Sequence, residues 1–188
     1  MKKRFAIVLV TTMLAVPLMA LTLRADPAEP SGNQDSAPNF GGAKDVAFAK
    51  KLWTAMDGYQ DWKLTTEVYK GASPHGKWLR LYSTWVTVDG KHFPIIVKEN
   101  YGGRGVTKEA VDENPDQWLA AVTIMLQREQ GYDDDNDNWF WVKYGKNGEV
   151  LKNPKDMLLA GRVAKGMPAG CIACHGQAGG GDYLFSND

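Results

Sequence analysis

Five consecutive residues carry most of the chemistry legible in this chain: Cys171-Ile172-Ala173-Cys174-His175. Two thiols three positions apart lie one helical turn from each other. That spacing lets them reach the two vinyl groups of a single porphyrin as thioethers. The adjacent imidazole then falls beneath the macrocycle, where it can bind iron as the proximal ligand. The pattern predicts one covalently attached haem c, held by Cys171 and Cys174 and ligated by His175. The sequence contains two cysteines, so both are used and no structural disulfide forms. A thioredoxin-like redox pair is expected at the start of a helix that follows an early strand; here the pair sits 14 residues from the end. A zinc site needs one or two further ligands, for which only His75 and His92 remain.

The 13 residues after His175 contain neither Met nor His. A sixth iron ligand would therefore come from upstream: Met56, Met125, Met157, Met167, His75 or His92. Met167, eight residues before His175, belongs on the proximal side, and the other methionines sit in apolar periodic stretches typical of core. His75, between Pro74 and Gly76, reads as a solvent-exposed loop residue. These readings predict a five-coordinate iron with an open distal face, and open haem sites bind small ligands or do chemistry whereas closed ones carry electrons.

The elements that must position this motif are an α+β set with a mainly antiparallel sheet. Residues 45–62 carry apolar side chains at Val46, Ala49, Leu52, Trp53 and Met56, a helical stripe with an acidic first turn. Lys77 to Val88 is rich in Trp, Tyr, Val and Thr and ends at Asp89-Gly90, a strand followed by a hairpin turn. Phe93 to Tyr101 reads as the returning strand, stopped by Gly102-Gly103. Val122, Thr123 and Ile124 tilt residues 118–130 to strand. Trp139 to Tyr144 and a short run near Val150 flank the turn Gly145-Lys146-Asn147-Gly148. A short helix is expected after Pro154, before the haem-binding helix. The run Asp133-Asp134-Asp135-Asn136-Asp137-Asn138 lacks the sixth-position Gly and twelfth-position Glu of a calcium loop and reads as a solvated turn. Gly176 to Gly181 reads as a loop passing close to the haem edge.

Seven Trp, seven Tyr and six Phe in 188 residues supply a large apolar payload for one domain. Lys2-Lys3-Arg4 followed by the apolar run Phe5 to Leu23 reads as an export signal over residues 1–25, or as a retained N-terminal anchor. Residues 26–42, rich in Pro, Ser, Asn and Gly, read as a flexible linker, and residues 43–188 as the haem domain. Formal charge is zero overall, but removing the leader leaves 18 basic against 22 acidic residues. A mildly acidic body argues against a nucleic-acid partner. The expected location is the periplasm, with membrane association only if the leader is retained.

Residues 44–188 resemble the cytochrome P-460 family, which includes the cytochromes c′-beta. The resemblance rests on Pro74-His75-Gly76 before a strand, Ile96-Val97-Lys98-Glu99, the Trp139 strand after an Asp/Asn-rich turn, and Cys171-Ile172-Ala173-Cys174-His175 followed by Gly181-Asp182-Tyr183-Leu184-Phe185. It implies a mainly β-sheet fold, commonly a homodimer, a small nitrogen-containing ligand or substrate and a soluble redox partner. In hydroxylamine-oxidising members a lysine is cross-linked to a haem meso carbon, and the matching residue is Lys98. From the residues alone, Lys98 shares a strand face with Ile96, its ammonium partly buried or at an edge, and the favoured reading is an edge lysine that discourages aggregation or one that snorkels outward. Family enzymes place a distal arginine on about the strand that holds Arg80. Arg80 shares a face with Trp78 and Tyr82, and a one-residue register step would reverse that face; exposed arginine is the other reading. Enzyme-type members also carry a distal carboxylate. Around Val122 to Leu126 this chain has Thr123 and Met125 but no Asp or Glu, a departure that weighs against hydroxylamine oxidation, where a positioned base removes substrate protons. Three functions follow: a hydroxylamine-type oxidoreductase using Lys98 and Arg80, a nitric-oxide-binding protein without turnover, or a simple electron-transfer cytochrome.

Overall fold

The computed structural model describes residues 39–185; the expected leader, and the linker up to residue 38, lie outside them. Helix α1 (Ala43–Ala55) is followed by a 3-10 turn at Tyr59–Asp61 and two short strands, β1 (Leu64–Thr65) and β2 (Tyr69–Lys70). The body of the sheet is β3 (Trp78–Val88), β4 (Lys91–Tyr101), β5 (Leu119–Gln127) and β6 (Trp139–Tyr144), with β7 (Ala160–Gly161) at the far edge. Two small helices, α2 (Lys108–Glu113) and α3 (Pro115–Trp118), bridge β4 to β5, and α4 (Cys171–His175) follows β7. The strand order is β1-β3-β4-β5-β6-β7, with β2 also on β3, and every pairing is antiparallel. The α+β expectation with a mainly antiparallel sheet holds.

Local chemistry explains the hairpin at the centre. Asp89 and Gly90 adopt φ of 50° and 76°, the double positive-φ geometry whose twist matches antiparallel strands. It sets the register Val88↔Lys91 through Trp78↔Tyr101. Alternation then divides the side chains. One face, carrying Tyr82, Val97, Ile124, Leu126, Phe140 and Val142, packs under α1 through Ala49, Leu52 and Met56. The Tyr144 hydroxyl donates to the Ala49 carbonyl at 2.6 Å, tying helix to sheet. The other face, with Met125, Trp139 and Trp141, is covered by Phe40, Val163, Ala164 and Ile172.

Several expectations are corrected. Phe40 is only 3% exposed and bridges Gly161, so the end of the supposed linker belongs to the folded body. No helix lies between Pro154 and the segment that carries Cys171, where a short one was expected. The Leu159 N–H donates to Leu151 and its carbonyl accepts from Lys143, so sheet-type pairing takes the backbone groups a helix would need. The Asp-rich turn is not simply solvated: Asp133 is buried, accepts from Asn136 Nδ2 at 2.9 Å and pairs with Lys165. Among the described residues no helix is long and apolar enough to cross a membrane.

Leu52 is fully buried where α1 meets the sheet. Leu52→Ala should lower unfolding free energy by about 2–5 kcal/mol, the range for a truncated core leucine, read as a reduced midpoint in chemical denaturation.

Candidate functional site

The motif is presented by α4, a five-residue helix whose start requires glycine. Gly170 has φ of 130°, and a Cβ there would lie 2.3 Å from the Ala164 Cβ. Ile172 is the buried anchor, 6% exposed, and its N–H donates to the Val163 carbonyl at 3.2 Å. Cys171 is half-buried, Cys174 is exposed, and both are free thiols. Cys171, Cys174 and His175 do not converge on one point, as ligands of a bare ion must; no metal-caging cluster of three such residues occurs among the described residues.

His175 is 8% exposed. Its Nδ1 donates to the Tyr183 carbonyl at 2.7 Å, which fixes the tautomer and leaves the Nε2 lone pair available for a metal. Trp141 and Phe185 flank the imidazole at 4.8 and 5.4 Å between ring centres. Tyr183 is itself tied down, its hydroxyl donating to the Asp135 carbonyl at 3.2 Å. Burial holds the His175 imidazole below its ordinary pKa, with the Tyr183 carbonyl opposing and the Lys98 charge adding to the fall.

Lys98 lies opposite Thr123, which lies opposite Lys143, on the face that meets α4. Its Nζ stands 3.0 Å from Nε2 of His75. Burial pulls the Lys98 amine down to about 8, against the pull of the two thiols. Burial and then the Lys98 charge push His75 down to about 4, so a neutral imidazole accepts from the ammonium at neutral pH. Burial raises the Cys171 thiol to about 11, and Lys98 opposes that rise. His75 is therefore not the exposed loop residue anticipated: its ring centre lies 6.1 Å from that of His175.

The turn that delivers His75 is built by close backbone approach. A Cβ at Gly76 would fall 2.6 Å from the Tyr101 N and O atoms. The Gly76 N–H donates to Asn100 Oδ1 at 3.3 Å, and Asn100 Nδ2 donates to the Lys98 carbonyl at 2.9 Å and to Thr123 Oγ1 at 3.1 Å. One buried amide thus links the His75 turn to the strand that carries Lys98.

Arg80 does not join this group. It pairs across with Glu99 and points to the α1 face, where its guanidinium meets Asp112 at 3.0 Å. Glu99 is buried there and accepts from Tyr59 at 2.7 Å, Tyr82 at 3.0 Å and Tyr101. Residues that sequence reasoning missed are Trp141, Tyr183 and Phe185 around His175, and Lys143, two strands across the same face from Lys98. Period-two alternation from Lys98 would have flagged Lys143 only once the strand order was known.

The Nε1 atoms of Trp139 and Trp141, on the same face, are buried without a hydrogen-bond partner. An unpaired buried donor costs about 1–3 kcal/mol, so this face is short of an acceptor that the protein does not supply. Free thiols one turn apart, an available Nε2, an apolar wall and two unmatched donors fit a haem with polar substituents. Comparison of the chain with protein families, curated proteins and solved structures gives no match.

Gly76→Ala should lower unfolding free energy by about 1–3 kcal/mol, as forced overpacking does, read as a reduced denaturation midpoint. Gly179→Ala, where no atom lies within 4 Å, should change it little.

Proposed function

We propose that the chain is an exported, periplasmic single-haem c-type cytochrome of the cytochrome P-460 kind, acting on hydroxylamine or a related small nitrogen species. The observation that carries this reading is the meeting on one sheet face of Cys171, Cys174, a His175 with its Nε2 free and a half-buried Lys98 amine. Cys171 and Cys174 would hold the porphyrin as thioethers and His175 would ligate iron through Nε2. Haem, when bound, supplies an iron that takes small ligands and exchanges electrons.

The chain's own residues do the rest. The Tyr183 carbonyl orients His175 and raises its basicity as a ligand. Trp141, Met125 and Ile172 keep water from the proximal side. Trp139 and Trp141 offer indole donors to the cofactor's acidic groups, and Lys143 adds a cation nearby. Lys98, with its lowered pKa, offers an amine that becomes neutral near pH 8, and it is the residue we assign to contact with the porphyrin.

A second reading has its own support. The strand positions on this face, Ile96, Lys98, Thr123, Met125, Trp141 and Lys143, include no carboxylate, which suits capture of nitric oxide without turnover. Expression with haem c maturation should give one haem per chain that survives acid–acetone extraction. Replacing Cys171 and Cys174 together with Ala should abolish it. Wild type should reduce an electron acceptor when given hydroxylamine, and Lys98→Ala should lose that activity while keeping its haem. Nitric oxide binding without hydroxylamine turnover would favour the second reading, and absence of covalent haem would overturn both.

A further inference from the structure

We infer that His75 is the distal axial ligand of the haem iron in the resting protein, so that small ligands must displace it to reach the metal. The inference rests on the haem reading above and says how access to that site is controlled.

The spacing of the two imidazoles points to this role. Metal–imidazole bonds of about 2.0–2.1 Å, with each ring centre about 1.1 Å beyond its nitrogen, put two axial histidines of one metal roughly 6.3 Å apart between centres. The His75 and His175 rings are 6.1 Å apart, with planes at 78°. A distal histidine that only hydrogen-bonds to an iron-bound molecule would stand farther off, by about the size of that molecule.

The support beneath His75 suits a ligand rather than a surface residue. Gly71 and Gly76 meet so closely that a Cβ on Gly71 would lie 2.1 Å from the Gly76 carbonyl oxygen, and Gly76 is pressed onto the β4 backbone. The His75 N–H donates to the Ala72 carbonyl at 2.9 Å, and Gly71 N–H donates to Lys77 at 2.9 Å. The ring therefore sits on a turn held from both ends, the kind of support that keeps a coordinating group in place.

His75 Nε2 also faces the Lys98 Nζ. The ammonium and the iron would use the same lone pair, so Lys98 competes with coordination. Removal of the Lys98 amine frees His75 for the metal, and the hydrogen bond from Lys98 draws the ring away.

The visible and electron paramagnetic resonance spectra of the ferric, haem-loaded protein test the assignment. Wild type should be low-spin and six-coordinate, while His75→Ala and the bulkier His75→Gln should both be high-spin. Added imidazole should restore the low-spin spectrum of His75→Ala. If His75 is bound nine-tenths of the time, its removal should tighten azide binding about tenfold; Lys98→Ala should weaken azide binding relative to wild type. A high-spin wild type, or a low-spin spectrum that persists in both His75 variants, overturns the assignment and leaves the haem reading standing. A wild type without covalent haem removes both.

Discussion

A single buried carboxylate holds the central strand in place. Glu99 accepts hydrogen bonds from Tyr59, Tyr82 and Tyr101 beneath α1, in surroundings where an unpaired carboxylate would be strongly unfavourable. Those donors come from three different stretches of the chain, and they are satisfied only if β4 presents Glu99 to the helix side. A strand has a side-chain period of two. Fixing Glu99 on one face therefore fixes Lys98 on the other, opposite Thr123 and within reach of His75. The two faces of the sheet are thus chemically distinct. One is a tyrosine-lined core that buries a hydrogen-bonded carboxyl group, and the other is a tryptophan-lined wall that carries amines and imidazoles.

The same parity decides what Arg80 can do. It pairs with Glu99 across β3 and β4 and so inherits the helix face, where Asp112 takes its charge. Lys98 and Arg80, set side by side as site residues by resemblance, are separated by the thickness of the sheet. The site is completed instead by segments distant in sequence: the turn holding His75, the β6 tryptophans, and Tyr183 and Phe185 beyond α4. Each contributes a different element, a ring, an apolar wall and a carbonyl that orients an imidazole.

The strands were legible because they are rich in β-branched and aromatic residues, and the Asp89-Gly90 turn marked where the chain reverses. The helical stripe of Ala49, Leu52 and Met56 was equally plain. What local sequence did not contain was the information that only packing creates. Nothing near His75 signals that Gly76 lies against the Tyr101 backbone, so a Pro-His-Gly turn reads as exposed. Phe40 stands alone in a polar stretch, and its burial depends on Gly161, far along the chain. The stretch after Pro154 has apolar residues suited to a helix, but Leu151 and Lys143 offer its backbone better-placed partners. Trp139 and Trp141 read as core, and it takes their unpartnered indole nitrogens to mark them as the wall of a site.

Phe40 has one more consequence. It packs in the cluster that contains Trp139, Trp141 and Ile172, with Tyr183 and Leu184 against it. That cluster draws on both extremes of the folded body, so it is rich in contacts of large sequence separation, the kind that form late because the intervening chain must first be ordered. The helix-covered core, by contrast, joins residues from Ala49 to Ala160 and involves neither the segment around Phe40 nor that around Tyr183. The order of assembly written into the contact pattern is therefore core first and tryptophan wall last. In a chain that assembles in this order, the Cys171–His175 segment stays open peptide until the tryptophan wall closes.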